Sequence, residues 1–192
     1  MTAIVLPDPS LVVLVGAAGS GKSTFAARHF RADEILSSDA FRALIAGDER
    51  DQTVSRTAFA ILHREVTSRL TAGRLVVVDA TSVKARNRRP LVARARAAGV
   101  PAVAIVIALL PEVVHARNRG RIERVVAADV VAEHLAHLAA AEAEGAGTLF
   151  AGEGFAAVHV LRTPAEVDAV RIERRPAGGP ADRAGRSSRA PG

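Results

Sequence analysis

Residues 11–25 read LVVLVGAAGSGKSTF. The apolar run 11–15 predicts a strand covered on both faces, because a strand with one wet side would alternate polar and apolar residues. Gly16 ends the run and opens the pattern G-x-x-x-x-G-K-S, completed by Ala17, Ala18, Gly19, Ser20, Gly21, Lys22 and Ser23. The glycines let the backbone bend so that successive N–H groups point into one concavity, which suits phosphate. A helix opening through Thr24 adds its orphan N-terminal donors and the positive end of its dipole. Lys22 has the reach for β- and γ-phosphates, and the Ser23 hydroxyl is a ligand of the kind Mg²⁺ takes. Strand before and helix after supply the context that makes this motif a nucleotide-phosphate cradle rather than a chance glycine turn. Of the chain's 26 basic residues only Lys22 and Lys84 are lysine. A sequence that otherwise uses arginine has kept, within this motif, a compact ammonium on a flexible stem.

The 192 residues are most simply one domain, and 49% apolar content is ample for a core. No apolar run is long enough to span a membrane. The N-terminus MTAIVLPDPS lacks the basic start and small-residue cleavage site of a secretion signal. Cysteine is absent, which rules out disulfides and thiolate zinc sites. A cytoplasmic enzyme is the expectation. The net charge of +6 is concentrated at one end: residues 174–192 hold five arginines and one aspartate, leaving +2 for the rest. Charge alone therefore does not argue for a nucleic-acid partner.

Working outward, strands are expected at 34–36, 75–78, 103–109 and 156–161. Helices are expected at 23–30, 40–46, 53–72, 84–98, from Pro111 toward Arg124, at 129–144 and at 165–172. Residues 47–52 read as a polar turn, 145–154 as a loop, and 174–192 as a basic tail without periodicity. Short apolar strands alternating with helices predict an α/β fold, a P-loop NTPase-type parallel sheet sandwiched by helices. Residues 1–173 would form this domain, with a helical lid over about 111–144. Ligands of such folds bind at the carboxyl ends of strands, and Gly16–Ser23, Asp39 and Asp79 all fall there.

The residues following Asp79 are Ala80, Thr81 and Ser82. There is no glutamate to position water, no D-x-x-G switch and no N-K-x-D, which disfavours a motor or a GTPase. A phosphotransferase needs a carboxylate to take the acceptor's proton and cations around the migrating group. Asp39 is placed for the first role, with an N-cap of the 40–46 helix as the plain alternative. Arg42, one turn on, is placed to hold an anionic group of the acceptor as a fork. Arg117, Arg121 and Arg124 form a stripe along one helix, which in a lid would supply cations to ATP. His134 and His137 read as ordinary helix surface, because no third metal ligand accompanies them. The arginine-rich 84–96 segment reads as a charged outer face.

The blocks GAAGSGKSTFAARHF, SSDAFRALI, ERDQ, AFAILHREVTSRLTAGRLVVVDATSV, RNRGR and GFAAVHVL resemble the 5′-hydroxyl kinase module of bacterial polynucleotide kinase–phosphatases, an AAA-type P-loop kinase family. The resemblance runs from about residue 11 to 161. It implies that Lys22 and Ser23 serve ATP and Mg²⁺, that Asp39 is the general base, and that Arg42 binds the phosphate next to the acceptor's 5′-OH. It further implies that Arg121 is the lid arginine on ATP, with Arg117 beside it, and that Asp79 assists the metal through water. Those enzymes join the module to a metallophosphatase that these 192 residues do not contain, and they carry asparagine where this chain has Ser82. Two other expectations stay open beside a nucleic-acid acceptor. One is a kinase of a small metabolite or antibiotic, the other a nucleotide-binding protein without transfer activity.

Overall fold

A computed structural model describes residues 3–46, 55–121 and 125–177. The polar turn expected at 47–52, the ERDQ block, Arg124 and nearly all of the basic tail lie outside the described residues. Five strands form the main sheet: β2 (Leu11–Gly16), β3 (Ile35–Ser37), β4 (Val76–Asp79), β5 (Ala102–Ile107) and β6 (Ala157–Leu161). Their order is β3-β4-β2-β5-β6, and every pairing is parallel. β2, β4 and β5 are buried along their whole length, as continuous apolar runs under helices on both faces require. The fold is the expected α/β arrangement, a parallel sheet flanked by helices.

Register decides where the chemistry sits. Leu11 pairs with both Val76 and Ala102, and Ser37 pairs with Asp79. The carboxyl ends of β3 and β4 are therefore level, Ser37 beside Asp79 and both opposite Leu14, while β2 runs two residues further to Gly16 at the same edge of the sheet. The flanking helices are α1 (Lys22–His29), α2 (Ser38–Ala46), α3 (Ser55–Thr71), α4 (Ala85–Ala97), α5 (Pro111–Arg119) and α6 (Ala128–Ala143). On α3, buried Ala58, Leu62, Val66 and Leu70 recur every fourth residue and form one apolar stripe.

Three expectations are corrected. Residues 145–154 are not all loop: they contain α7 (Ala146–Gly152), pinned to the core by fully buried Phe150. The last helix, α8 (Pro164–Ala169), starts on a Thr163–Glu166 capping box and is shorter than expected. After it comes β7 (Arg171–Pro176), which pairs in parallel with β1 (Ala3–Asp8), a strand the sequence reading did not include. Arg174 thus belongs to a strand and not to the tail. Its guanidinium donates to both carboxylate oxygens of Glu34, at 2.7 and 2.8 Å, and the Glu34 side chain is only 4% exposed.

This clasp predicts a pair of truncations with different outcomes. Ending the chain after Ala177 keeps β7 whole and should leave the melting temperature unchanged. Ending it after Glu173 removes half of β7 and leaves the buried Glu34 carboxylate to Arg31 alone, and should cost about 1–3 kcal/mol in thermal denaturation. The difference carries a pH signature. The hydrogen bonds from Arg174 hold the Glu34 carboxyl below its ordinary value of 4.5. The stabilisation is therefore full above that pH and is lost as pH falls through the depressed value.

Candidate functional site

The phosphate loop is built by local rules and then held by its neighbours. Gly19 and Gly21 have φ of +89° and +97°, a left-handed backbone that costs an L side chain strain. A side chain at Gly19 would also stand 2.8 Å from the Val114 carbonyl of α5, so the loop and α5 approach backbone to backbone. Arg117, on α5, donates to the Ser20 carbonyl at 3.3 Å. The Gly16 N–H donates to the Thr81 carbonyl at 3.0 Å, tying the loop to the chain leaving β4.

Lys22 is buried and curls over its own loop, donating to the Gly16 and Ala17 carbonyls at 2.9 Å each. Burial pulls its pKa down from 10.5 to about 8; Asp79 opposes this and Arg121 adds to it. Asp79, the last residue of β4, is 7% exposed. Asp39 lies in the first turn of α2 and forms an ion pair with Arg42, one turn further along. The cap of this helix is Ser37, whose hydroxyl oxygen accepts the Ala40 N–H at 3.4 Å. The cap that the sequence offered to Asp39 is thus made by Ser37, and Asp39 pairs with Arg42 instead.

Two cavities meet at the loop. A cleft of about 510 Å³ brings together Lys22, Ser23, Asp39, Arg42, Asp79 and Arg121. Its apolar lining includes Phe59, Val125, Val126 and Val130. A smaller notch of about 240 Å³ lies against Gly19, Gly21, Thr24, Arg28, Arg117 and Asp168. Arg121 borders both. The expected arginine stripe is corrected here: α5 ends at Arg119, with Gly120 as its C-cap, so Arg121 is not on the helix that carries Arg117. Leaving the helix is what lets Arg121 stand between the two cavities.

Two residues escaped the sequence reading. His134 does not lie on open helix surface. It borders the cleft, and its Nδ1 accepts the Ala18 N–H in a long contact of 3.5 Å. The available signal was its spacing from Val131 and Leu138, both buried, which places all three on one helix face. Arg88 is the second, fully buried inside the helix read as a charged outer face. It donates to the Ser82 and Val83 carbonyls at 2.9 and 2.7 Å, pairs with Glu153, and stacks 4.2 Å over the Phe150 ring. Arg88 thereby fixes the chain leaving Asp79. That chain includes Ser82 at φ +47°, a left-handed position that asparagine accommodates more readily.

The architecture and the glycine-lysine loop define a P-loop kinase-like domain. Residues 11–144 match the family model described as an AAA domain, and the chain belongs to that family. No curated protein matches its sequence. Among solved structures it is similar to a chain of the Pnkp1/Rnl/Hen1 RNA repair complex, at 24% identity and a TM-score of 0.62, over 72% of this chain and 47% of that one. The chain thus spans about half the length of that relative. It is also similar to a gluconokinase from Sinorhizobium meliloti 1021, at 18% identity and a TM-score of 0.51, over 83% of this chain and 85% of that one. The APS kinase CysC of Mycobacterium tuberculosis, in complex with AMPPNP and APS, matches at 18% identity and a TM-score of 0.51, over 85% and 93%. At such identities these neighbours establish the fold. No described helix is long and apolar enough to cross a membrane.

Proposed function

We propose that this domain transfers the γ-phosphate of ATP to a hydroxyl, with the 5′-OH end of RNA or DNA as its acceptor. The observation that carries the reading is the meeting of Lys22, Asp39, Arg42 and Arg121 in one cleft. The nucleoside sits in the notch beside Gly19, Gly21 and Thr24, and its phosphates follow the loop of residues 16–24 into the cleft. Lys22 turns from its own carbonyls to the β- and γ-phosphates, and Arg117 and Arg121 neutralise charge that builds on the transferred group. Asp39 takes the acceptor's proton as its oxygen attacks phosphorus. The bond from the γ-phosphorus to the bridging oxygen breaks, and ADP leaves with that electron pair.

The donor set fits magnesium. The Ser23 hydroxyl and the Asp79 carboxylate are hard oxygens lining the same cleft. Magnesium usually takes one or two protein oxygens and completes its shell with water and phosphate. When bound there, magnesium would withdraw charge from the phosphate oxygens.

Arg42 is what favours a nucleic-acid acceptor. Its fork, beside Asp39 in the cleft, suits a phosphate adjacent to the reacting hydroxyl, while the apolar lining residues Phe59, Val125 and Val130 suit a nucleobase. Arg42→Ala should therefore lower kcat/KM for a 5′-OH, 3′-phosphate nucleotide roughly ten- to a hundred-fold and hardly touch a nucleoside without the phosphate. An equal loss on both acceptors, or transfer by the intact protein to sugars but not to 5′-OH ends, would replace the nucleic-acid acceptor with a small metabolite.

A further inference from the structure

We infer that His134 of α6 is a ligand of the terminal phosphate of the bound nucleoside triphosphate, a contact that separates triphosphate from diphosphate at this site. The inference rests on the phosphotransfer reading above and adds a residue to it. Its basis is where α6 docks. Val131, Leu138 and Ala141 bury one face of the helix, and α6 packs against β2, the strand that runs into the loop. His134, on that same face, is carried to the cleft side of the loop, where its Nδ1 accepts the Ala18 N–H.

An imidazole that accepts at Nδ1 carries its proton on Nε2 when neutral. Burial, with Lys22 close by, favours the neutral ring. The other charged groups around it are Glu133, Lys84 and His137; Glu133 is held by Lys84 in an ion pair at the exposed side of α6. His134 thus keeps one N–H donor, and it borders the cleft that also holds Lys22 and Asp39. The direction of the nucleotide follows from the two cavities. On the phosphotransfer reading the nucleoside takes the notch lined by Gly19, Gly21 and Thr24, whereas Ala18, His134 and Asp39 line the larger cleft, where the acceptor enters. The phosphate that reaches this side is the last one, so His134 meets the γ-phosphate and is left without it in the ADP complex.

The test is equilibrium binding of ADP and of the non-hydrolysable triphosphate AMPPNP to three full-length proteins: unaltered, His134→Ala and His134→Asn. Asparagine can still accept the Ala18 N–H through Oδ1 but cannot place a donor where Nε2 stands. Both variants are expected to weaken AMPPNP about tenfold or more and to leave ADP affinity unchanged, which also reports that the loop is folded. Equal weakening of both nucleotides, or no weakening of either, overturns the inference and leaves the loop assignment intact. Full AMPPNP affinity in His134→Asn also overturns it, because the imidazole would then only position Ala18. Failure of the unaltered protein to bind either nucleotide would instead overturn the nucleotide-site reading itself.

Discussion

Lys22→Ala should abolish phosphoryl transfer while leaving the fold in place. Lys22 is the one ammonium lining the cleft among the described residues, held 2.9 Å from each of two loop carbonyls. Removing a cation preorganised for the migrating phosphoryl group costs at least ~10²–10³-fold in turnover. Stability should fall little, because an ammonium depressed to about pKa 8 by burial is itself a cost of folding. The measurement is initial transfer rate from ATP with saturating magnesium, with circular dichroism melting as the control. Near-normal turnover would sink the loop assignment. The same lysine predicts a proton linkage. Its pKa is low in the free protein and rises when phosphates replace the carbonyls, so nucleotide binding takes up protons above about pH 8. ATP affinity should fall as pH rises through that value. Calorimetry in buffers of different ionisation enthalpy reads the uptake directly.

Asp39→Asn should lower turnover by ~10²–10⁴-fold, the range for a positioned general base, with the KM for ATP little changed. Asparagine keeps the shape and an oxygen facing Arg42 but cannot take the acceptor's proton. The helix itself should survive, since Ser37 provides the cap. Weakening the charge of the partly buried Asp39–Arg42 pair should cost on the order of 1 kcal/mol in melting. A variant with near-normal turnover would make Asp39 only the partner that orients Arg42. The two outcomes separate cleanly, because loss of orientation alone would raise the acceptor KM and leave kcat intact.

The parts of this protein whose causes are local are legible in its residues. Apolar runs without alternation place β2, β4 and β5 inside a parallel sheet, and the glycine pattern at 16–21 specifies a backbone that only a phosphate cradle needs. Polar residues at the ends of such runs put Lys22, Ser23, Asp39 and Asp79 at one edge. Features that depend on a distant partner emerge only when the elements pack. β1 and β7 are edge strands with one neighbour each, and pairing the two ends of the domain leaves no trace in either stretch. Arg174 looks like tail until Glu34 is seen beneath it. Arg88 looks like surface until Glu153 and Phe150 close over it. His134 shows the same limit at the site. Spacing tells which residues share a helix face, but only docking tells what that face meets, because a helix carries no local record of its neighbour. Here it meets the loop, and Arg121, freed by the end of α5 at Arg119, stands between the two cavities for the same reason.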